Sequence, residues 1–311
     1  MRRLNRCLIS LGVAFFSAAS LSAQDVYIAS GSGGTAGTLY KFNLSTGQQL
    51  SSVPITNVSG NGAIGVTGLA FNPVNGVLYG VSVNNTDLGN TVASSLLTIN
   101  PTTGKATVLG RLTLGSAFAP VSDISFAPDG TLYAWEARSP FSLATVGLSG
   151  AQTAKLTTVG NSGLAGTSGG GLALDPSDPN KFYLAPMGAD PDFGATLDTV
   201  NRQTGARTTG PALTGAPKLG SINSMAFFGN TLYAVNSSQD PEEVNDNDNL
   251  PDEIHIVTIN LVNGAVNDLF RVKIANIDAI AFAQIPEPST IALLVSSAAG
   301  AAALRFYRRR K

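Results

Sequence analysis

Apolar and polar residues along this chain alternate with a period of two, interrupted every few residues by Gly, Pro, Asn or Asp. That pattern predicts short, half-buried strands joined by tight turns. The strands recur in pairs. An apolar strand, a turn and a strand carrying an aromatic read Gly68-Leu-Ala-Phe71-Asn-Pro, then Gly76-Val-Leu-Tyr79-Gly-Val81. The pair returns as Ile124–Gly130 with Leu132–Trp135, as Gly171–Pro176 with Phe182–Ala185, and as Met225–Asn230 with Leu232–Val235. The equivalent apolar sites Leu69, Ile124, Leu172, Met225 and Ile280 lie 55, 48, 53 and 55 residues apart. Tyr79, Tyr133, Tyr183 and Tyr233 share one repeat position, which predicts packing between repeats rather than chemistry; Trp135 is read the same way.

A second unit follows each pair: Leu39–Gly47, Leu96–Gly104, Leu197–Gly205 and Ile256–Gly264. Each is an apolar strand ending in Asn (Asn43, Asn100, Asn201, Asn260) and a turn ending in Gly. Asn starts such a turn by bonding its own backbone, and Gly closes it at positive φ. Leu143–Gly150 is a degenerate copy, with Gly147 in place of Asn. A fourth strand, such as Lys105–Leu109 or Ala206–Thr209, comes next.

Four strands in roughly 50 residues make a propeller blade. Asp25–Ala29 matches a second strand with no first strand before it, and Ile277–Phe282 a first strand with no second after it. Joined, they complete a blade and remove an open sheet edge. The expected fold is therefore an all-β, five-bladed β-propeller over residues 24–284, one blade being closed by both termini. Six blades is the alternative, if Gln48–Ile64 or Pro211–Ile222 holds further strands.

The two ends carry addresses. Arg2, Arg3 and Arg6 precede the apolar run Cys7–Phe16, and Ser17–Ala23 is rich in small residues. This predicts a secretory signal peptide, residues 1–23, presented to the Sec translocon and cut after Ala23. The only cysteine, Cys7, leaves with it, so stability must come from a core rather than disulfides. At the other end, Pro286 and Pro288 enforce an extended linker around Glu287. The apolar run Ile291–Leu304 follows, then Arg305 and the cluster Arg308–Lys311. At 14 residues the run is short of the roughly 20 that span a bilayer comfortably. Read by itself it is a short single-helix C-terminal anchor with its basic end cytoplasmic.

Pro286-Glu287-Pro288, a short apolar helix and a terminal Arg cluster, in that order, resemble the PEP-CTERM sorting signal of Gram-negative bacteria. The resemblance covers residues 285–311. It implies recognition by exosortase, a membrane-embedded protease, through Pro286, Glu287 and Pro288. It also implies an inner-membrane intermediate, removal of the tail, and a destination at the cell surface or in the extracellular matrix beside exopolysaccharide.

The formal net charge of −1 hides an acidic core: residues 1–23 and 289–311 hold eight of the 19 basic residues and no acid. What lies between them has 11 basic and 20 acidic residues, a net −9. Such a balance argues against a nucleic-acid surface.

Candidate chemistry is sparse. The one histidine, His255, falls at the polar start of a third strand, a position expected to be exposed. A zinc site would need several His or Cys ligands. No serine sits in a nucleophile-elbow context, and the glycine-rich stretches lack the Lys-Ser/Thr ending of a phosphate loop. The loop Asp240–Glu253 holds seven of the 20 acids. Its alternating Asp246, Asp248 and Asp252, with Glu253, suit the oxygen ligands calcium requires. The same stretch resembles the calcium repeat of thrombospondin type 3. Calcium is thus the one cofactor considered, and a solvated acidic loop is the other reading. A ring of candidate ligand residues falls at the predicted axial mouth: Thr67, Ser122, Asp123, Asn223 and Asp278. No catalytic constellation stands out. The expectation is an exported propeller with an interaction or structural role toward exopolysaccharide or matrix proteins. The alternatives are a secreted lactonase- or lyase-like propeller enzyme, or a calcium-dependent glycan binder.

Overall fold

The computed structural model describes residues 25–31, 37–57, 62–82, 94–138, 140–164, 170–186, 196–216, 221–238, 253–274 and 276–283, all within the unit Gln24–Gln284. The expected signal peptide, most of the loop Asp240–Glu253 and the expected sorting tail lie outside them. Five separate sheets, each with four antiparallel strands that in four of the five run in sequence order from the axis outward, make a five-bladed propeller.

Blade 1 is the closing blade. Its innermost strand is Ile277–Phe282, followed outward by Asp25–Ser30, Thr38–Asn43 and Gln49–Pro54. Val26 faces Phe282 and Ile28 faces Ile280 across the antiparallel seam. The innermost strands of blades 2 to 5 are Val66–Phe71, Val121–Phe126, Gly170–Leu174 and Ser221–Phe228.

The six-blade alternative is not what the chain does. Gln48–Ile64 and Pro211–Ile222 do hold extra strands, Thr56–Asn57 and Thr214–Ala216. These pair in parallel with the outer strands of blades 2 and 5. Thr113–Leu114 does the same for blade 3. Each of these linkers thereby covers the outer edge of the blade it leads into, where unpaired N–H and C=O groups would otherwise invite other chains.

At least one aromatic pair joins every two neighbouring blades. Tyr27 meets Phe71, Tyr79 meets Phe126, Tyr183 meets Phe227 and Tyr233 meets Phe282, at centroid separations of 5.4, 5.2, 5.9 and 5.0 Å. Blade 4 has Leu174 at the Phe position, and Tyr133 packs on Phe182 at 5.0 Å instead. Such pairs contribute about 0.5–1.5 kcal/mol each beyond their buried area. The repeat-position tyrosines are interblade packing, as expected. Trp135 is fully buried in the cluster between blades 3 and 4.

The Asn-to-Gly turns are built as the sequence predicts. The Asn100 Oδ1 accepts from the N–H groups of Thr102 and Thr103, both at 3.0 Å, and the Gly104 N–H returns to the Asn100 carbonyl at 2.9 Å. Asn43, Asn201 and Asn260 repeat the arrangement. The glycine has a second duty that the turn alone does not reveal. At φ +68°, a Cβ on Gly104 would stand 2.1 Å from the Pro54 carbonyl oxygen of blade 1. Gly76 has nearly the same φ, +71°, with nothing within 4 Å. Gly76→Ala should therefore cost about 1–2 kcal/mol for backbone strain alone. Gly104→Ala adds overpacking of roughly 1–3 kcal/mol. Urea unfolding of the two variants should separate them in that order; equal losses would mean that blade 1 yields freely.

Candidate functional site

The ends of the innermost strands converge at one mouth of the axis. Thr67, Ser122, Gly170, Asn223 and Asp278 are equivalent positions there, one from each blade. The four side chains are half-buried, and three of them are bonded to the next blade. The Thr67 hydroxyl donates to the Val121 carbonyl at 3.1 Å, and Ser122 to the Gly170 carbonyl at 3.0 Å. Asn223 donates from Nδ2 to Asp278 Oδ1 at 3.1 Å and to the Ile277 carbonyl at 3.3 Å. Asn223 Oδ1 in turn accepts from the Ser221 hydroxyl at 2.6 Å. The Asp278 carboxylate lies against Gly31, where a Cβ would come within 1.9 Å of its Oδ2. The predicted ring is thus brought together, and its polar atoms hold neighbouring blades in register.

Asp123, one residue further in, is different. It is completely buried. Its Oδ1 accepts from the Ile124 N–H at 2.9 Å and the Ser224 hydroxyl at 3.0 Å. Its Oδ2 accepts from the Leu172 N–H at 2.8 Å and the Met225 N–H at 3.1 Å. Ser224 Oγ also receives the Ile280 N–H at 3.2 Å. One carboxyl therefore ties blade 3 directly to blades 4 and 5, and through Ser224 to blade 1. Gly68 of blade 2 packs so closely that a Cβ would lie 2.9 Å from the Asp123 Cα. Burial pushes the Asp123 carboxyl well above the ordinary carboxylate range, while the hydrogen bonds from Leu172, Met225, Ile124 and Ser224 pull it part of the way back. A protonated acid fits the geometry: its carbonyl oxygen stays under the Leu172 and Met225 N–H groups, and its O–H turns to the Ser224 hydroxyl, which can accept.

The repeat pattern carries a sequence signal for this hub. The residues equivalent to Asp123 are Gly68, Gly171, Ser224 and Ala279. Four small side chains leave axial room for one carboxyl.

His255 is buried, contrary to the expectation of an exposed strand start. The reason is the repeat geometry. In blades 1 to 3 the last residue of the second strand and the first of the third form a polar pair beneath the mouth, and in blade 5, whose two strands run on two residues further, the pair lies two residues in. Ser82 accepts the Ser95 N–H at 2.8 Å, and the Ser142 hydroxyl donates to Glu136 at 3.3 Å. His255 takes this place opposite Asn236, with its Nδ1 3.0 Å from Asp268 Oδ1. Of the candidate calcium ligands, Glu253 opens the third strand of blade 5, opposite Ser238. Asp246, Asp248 and Asp252 lie outside the described residues, as do Pro286, Glu287 and Pro288. Among the described residues no group of three or more His, Cys, Asp or Glu side chains is placed to hold a metal ion, and no helix is long and apolar enough to cross a membrane.

No protein-family model matches the chain, and no curated protein is detectably similar in sequence. Solved structures share its fold. A protein of unknown function from Bacteroides caccae is 14% identical with a TM-score of 0.52, over 85% of this chain and 100% of that one. A GH43 β-1,3-galactosidase, solved with galactodeoxynojirimycin, is 11% identical with a TM-score of 0.53, over 76% of this chain and 88% of that one. At such identities the likeness is one of fold.

Proposed function

We propose that this propeller is exported and acts as a binding protein at the cell surface or in the extracellular matrix, delivered there by its PEP-CTERM-like tail. The observation that carries the binding reading is the commitment of the axial polar groups. Asp123 faces four protein donors, and Thr67, Ser122 and Asn223 bond across blade boundaries. A lyase- or lactonase-like reading would ask the axial carboxyl for chemistry while it holds the ring together. A binding surface asks nothing of it: the mouth presents half-buried hydroxyl, amide and carboxyl groups on a rigid frame. Export rests on the signal-peptide pattern at residues 1–23, and sorting on Pro286, Glu287 and Pro288.

Full-length protein, tagged within the propeller and expressed in its native host, tests the reading. The wild type should be found in the matrix fraction, without its tail. Glu287→Ala should shift most of it to the membrane fraction at full length. Wild-type protein that stays in the cytoplasm, or matrix protein that washes free of polysaccharide and of other proteins alike, would sink the proposal.

A further inference from the structure

Three residues at the boundary of blades 2 and 3 form a cationic cluster on an otherwise acidic protein. Arg111 ends the outer strand of blade 2, Lys105–Arg111. Phe118 ends the short hairpin that leads into blade 3. Arg138 follows the second strand of blade 3, Leu132–Glu136. Register places all of this at the same mouth as the polar ring. Arg111 pairs with Ser95, the neighbour of Ser82, which faces Val66 beside Thr67. Glu136, two residues before Arg138, faces Val121 beside Ser122.

Both guanidinium groups are held by one ring. The Arg111 and Arg138 Cζ atoms stand 5.1 and 6.0 Å from the Phe118 centroid. Cation–π contact orders the two side chains without consuming their N–H donors. Arg138 gives one donor to the buried Glu136, at 3.3 Å, and keeps 43% of its side chain exposed. Arg111 is exposed and has no acidic partner among the described residues. Two ordered guanidinium groups with donors left over suit a bidentate carboxylate.

We infer that Arg111, Phe118 and Arg138 form a carboxylate-reading subsite for a uronate-containing polysaccharide; this rests on the binding role proposed above. The cluster lies at the same end of the blades as Thr67 and Ser122, whose hydroxyls suit a hydroxyl-rich chain. Asp278 stands at the same mouth, and the net −9 of the chain between residues 23 and 289 repels a densely charged acidic peptide. A polymer with one carboxylate per sugar satisfies both ends.

Full-length protein on polygalacturonate and neutral galactan matrices, at low salt and at about 0.5 M salt, tests this. Polygalacturonate should be bound more tightly, with the difference lost in high salt. Arg111→Gln with Arg138→Gln should weaken that binding by about tenfold or more while leaving the unfolding midpoint unchanged. The double Lys variant, which keeps charge but not the fork, should fall between. A Gln variant that binds like the wild type would reduce the cluster to packing of the hairpin and overturn the inference. So would polyglutamate competing as well as polygalacturonate. Equal retention on both matrices would overturn the acidic-sugar subsite but leave the binding role standing; retention on neither would remove the support of both.

Discussion

Asp123→Ala should be the most damaging single substitution in this protein. It strips the acceptor from the buried Leu172, Met225 and Ile124 N–H groups at the axis. An unsatisfied buried donor costs about 1–3 kcal/mol. The loss should therefore reach about 3–5 kcal/mol, a large part of the roughly 5–15 kcal/mol by which a domain is stable. Asp123→Asn should lose less, because its oxygen can stay under Leu172 and Met225 while its NH2 turns to the Ser224 hydroxyl, leaving only the Ile124 N–H without its acceptor. Urea unfolding of both variants gives the test, and an Ala variant within about 1 kcal/mol of the wild type would refute the hub.

The same residue sets an expected pH dependence. Its folded pKa is raised by burial, so between the ordinary value near 3.8 and the raised one the folded state holds a proton that the unfolded chain has released. Stability from this group is present at low pH and declines as pH rises through that window. Asp129 runs the other way. The Thr131 N–H, and then Arg202, hold it at about 2, so its contribution exists above 3.8 and fades as pH falls toward 2. Asp129 is largely exposed, so screening keeps that slope small. From pH 4 upward the wild-type urea midpoint should therefore drift down, and the drift should be absent in Asp123→Asn.

The second large effect is expected from removing the closing strand. A chain ending at Asn276 loses the seam between Ile277–Phe282 and Asp25–Ser30, together with the buried Ile277, Ile280 and Phe282. At about 1.5–3 kcal/mol for each large apolar side chain, those three alone contribute about 5–9 kcal/mol. Opening the seam also bares a long inner sheet edge. The truncated chain should be unfolded or insoluble. A chain ending at Gln284, which lacks only the tail, should keep the near-UV circular dichroism and protease resistance of the parent. If ending at Gln284 unfolds the domain, the termini do more than close a ring. If ending at Asn276 leaves a cooperative unfolding transition unchanged, the closure contributes little.

How much of this could be read in advance follows from the range of the interactions. Blade count, ring closure and the Asn-to-Gly turns were legible because local chemistry repeated at near-equal intervals determines them: alternation along a strand, Asx bonding in a turn, positive φ at Gly. The six-blade alternative arose because short strands such as Thr56–Asn57 and Thr214–Ala216 look the same whether they found a blade or cover one. Their parallel partners at Lys105 and Ala265 are 49 and 51 residues away in the chain. His255 misled for a related reason. A polar residue at a strand start reads as exposed, and only the pairing of second and third strands beneath the mouth buries it.

The sequence by itself determined an all-β repeat and its closure by both ends, because alternation and turn chemistry are written in neighbouring residues. Only the tertiary structure decided what the axial polar residues do. Asp123 looks like one more mouth residue until ring closure brings the N–H groups of Leu172 and Met225, 49 and 102 residues distant, onto its carboxyl. The pairing of Arg111 with Arg138 over Phe118 is equally invisible along the chain. Both depend on packing one blade against the next, and a period of two along a strand carries no information about what the neighbouring blade presents.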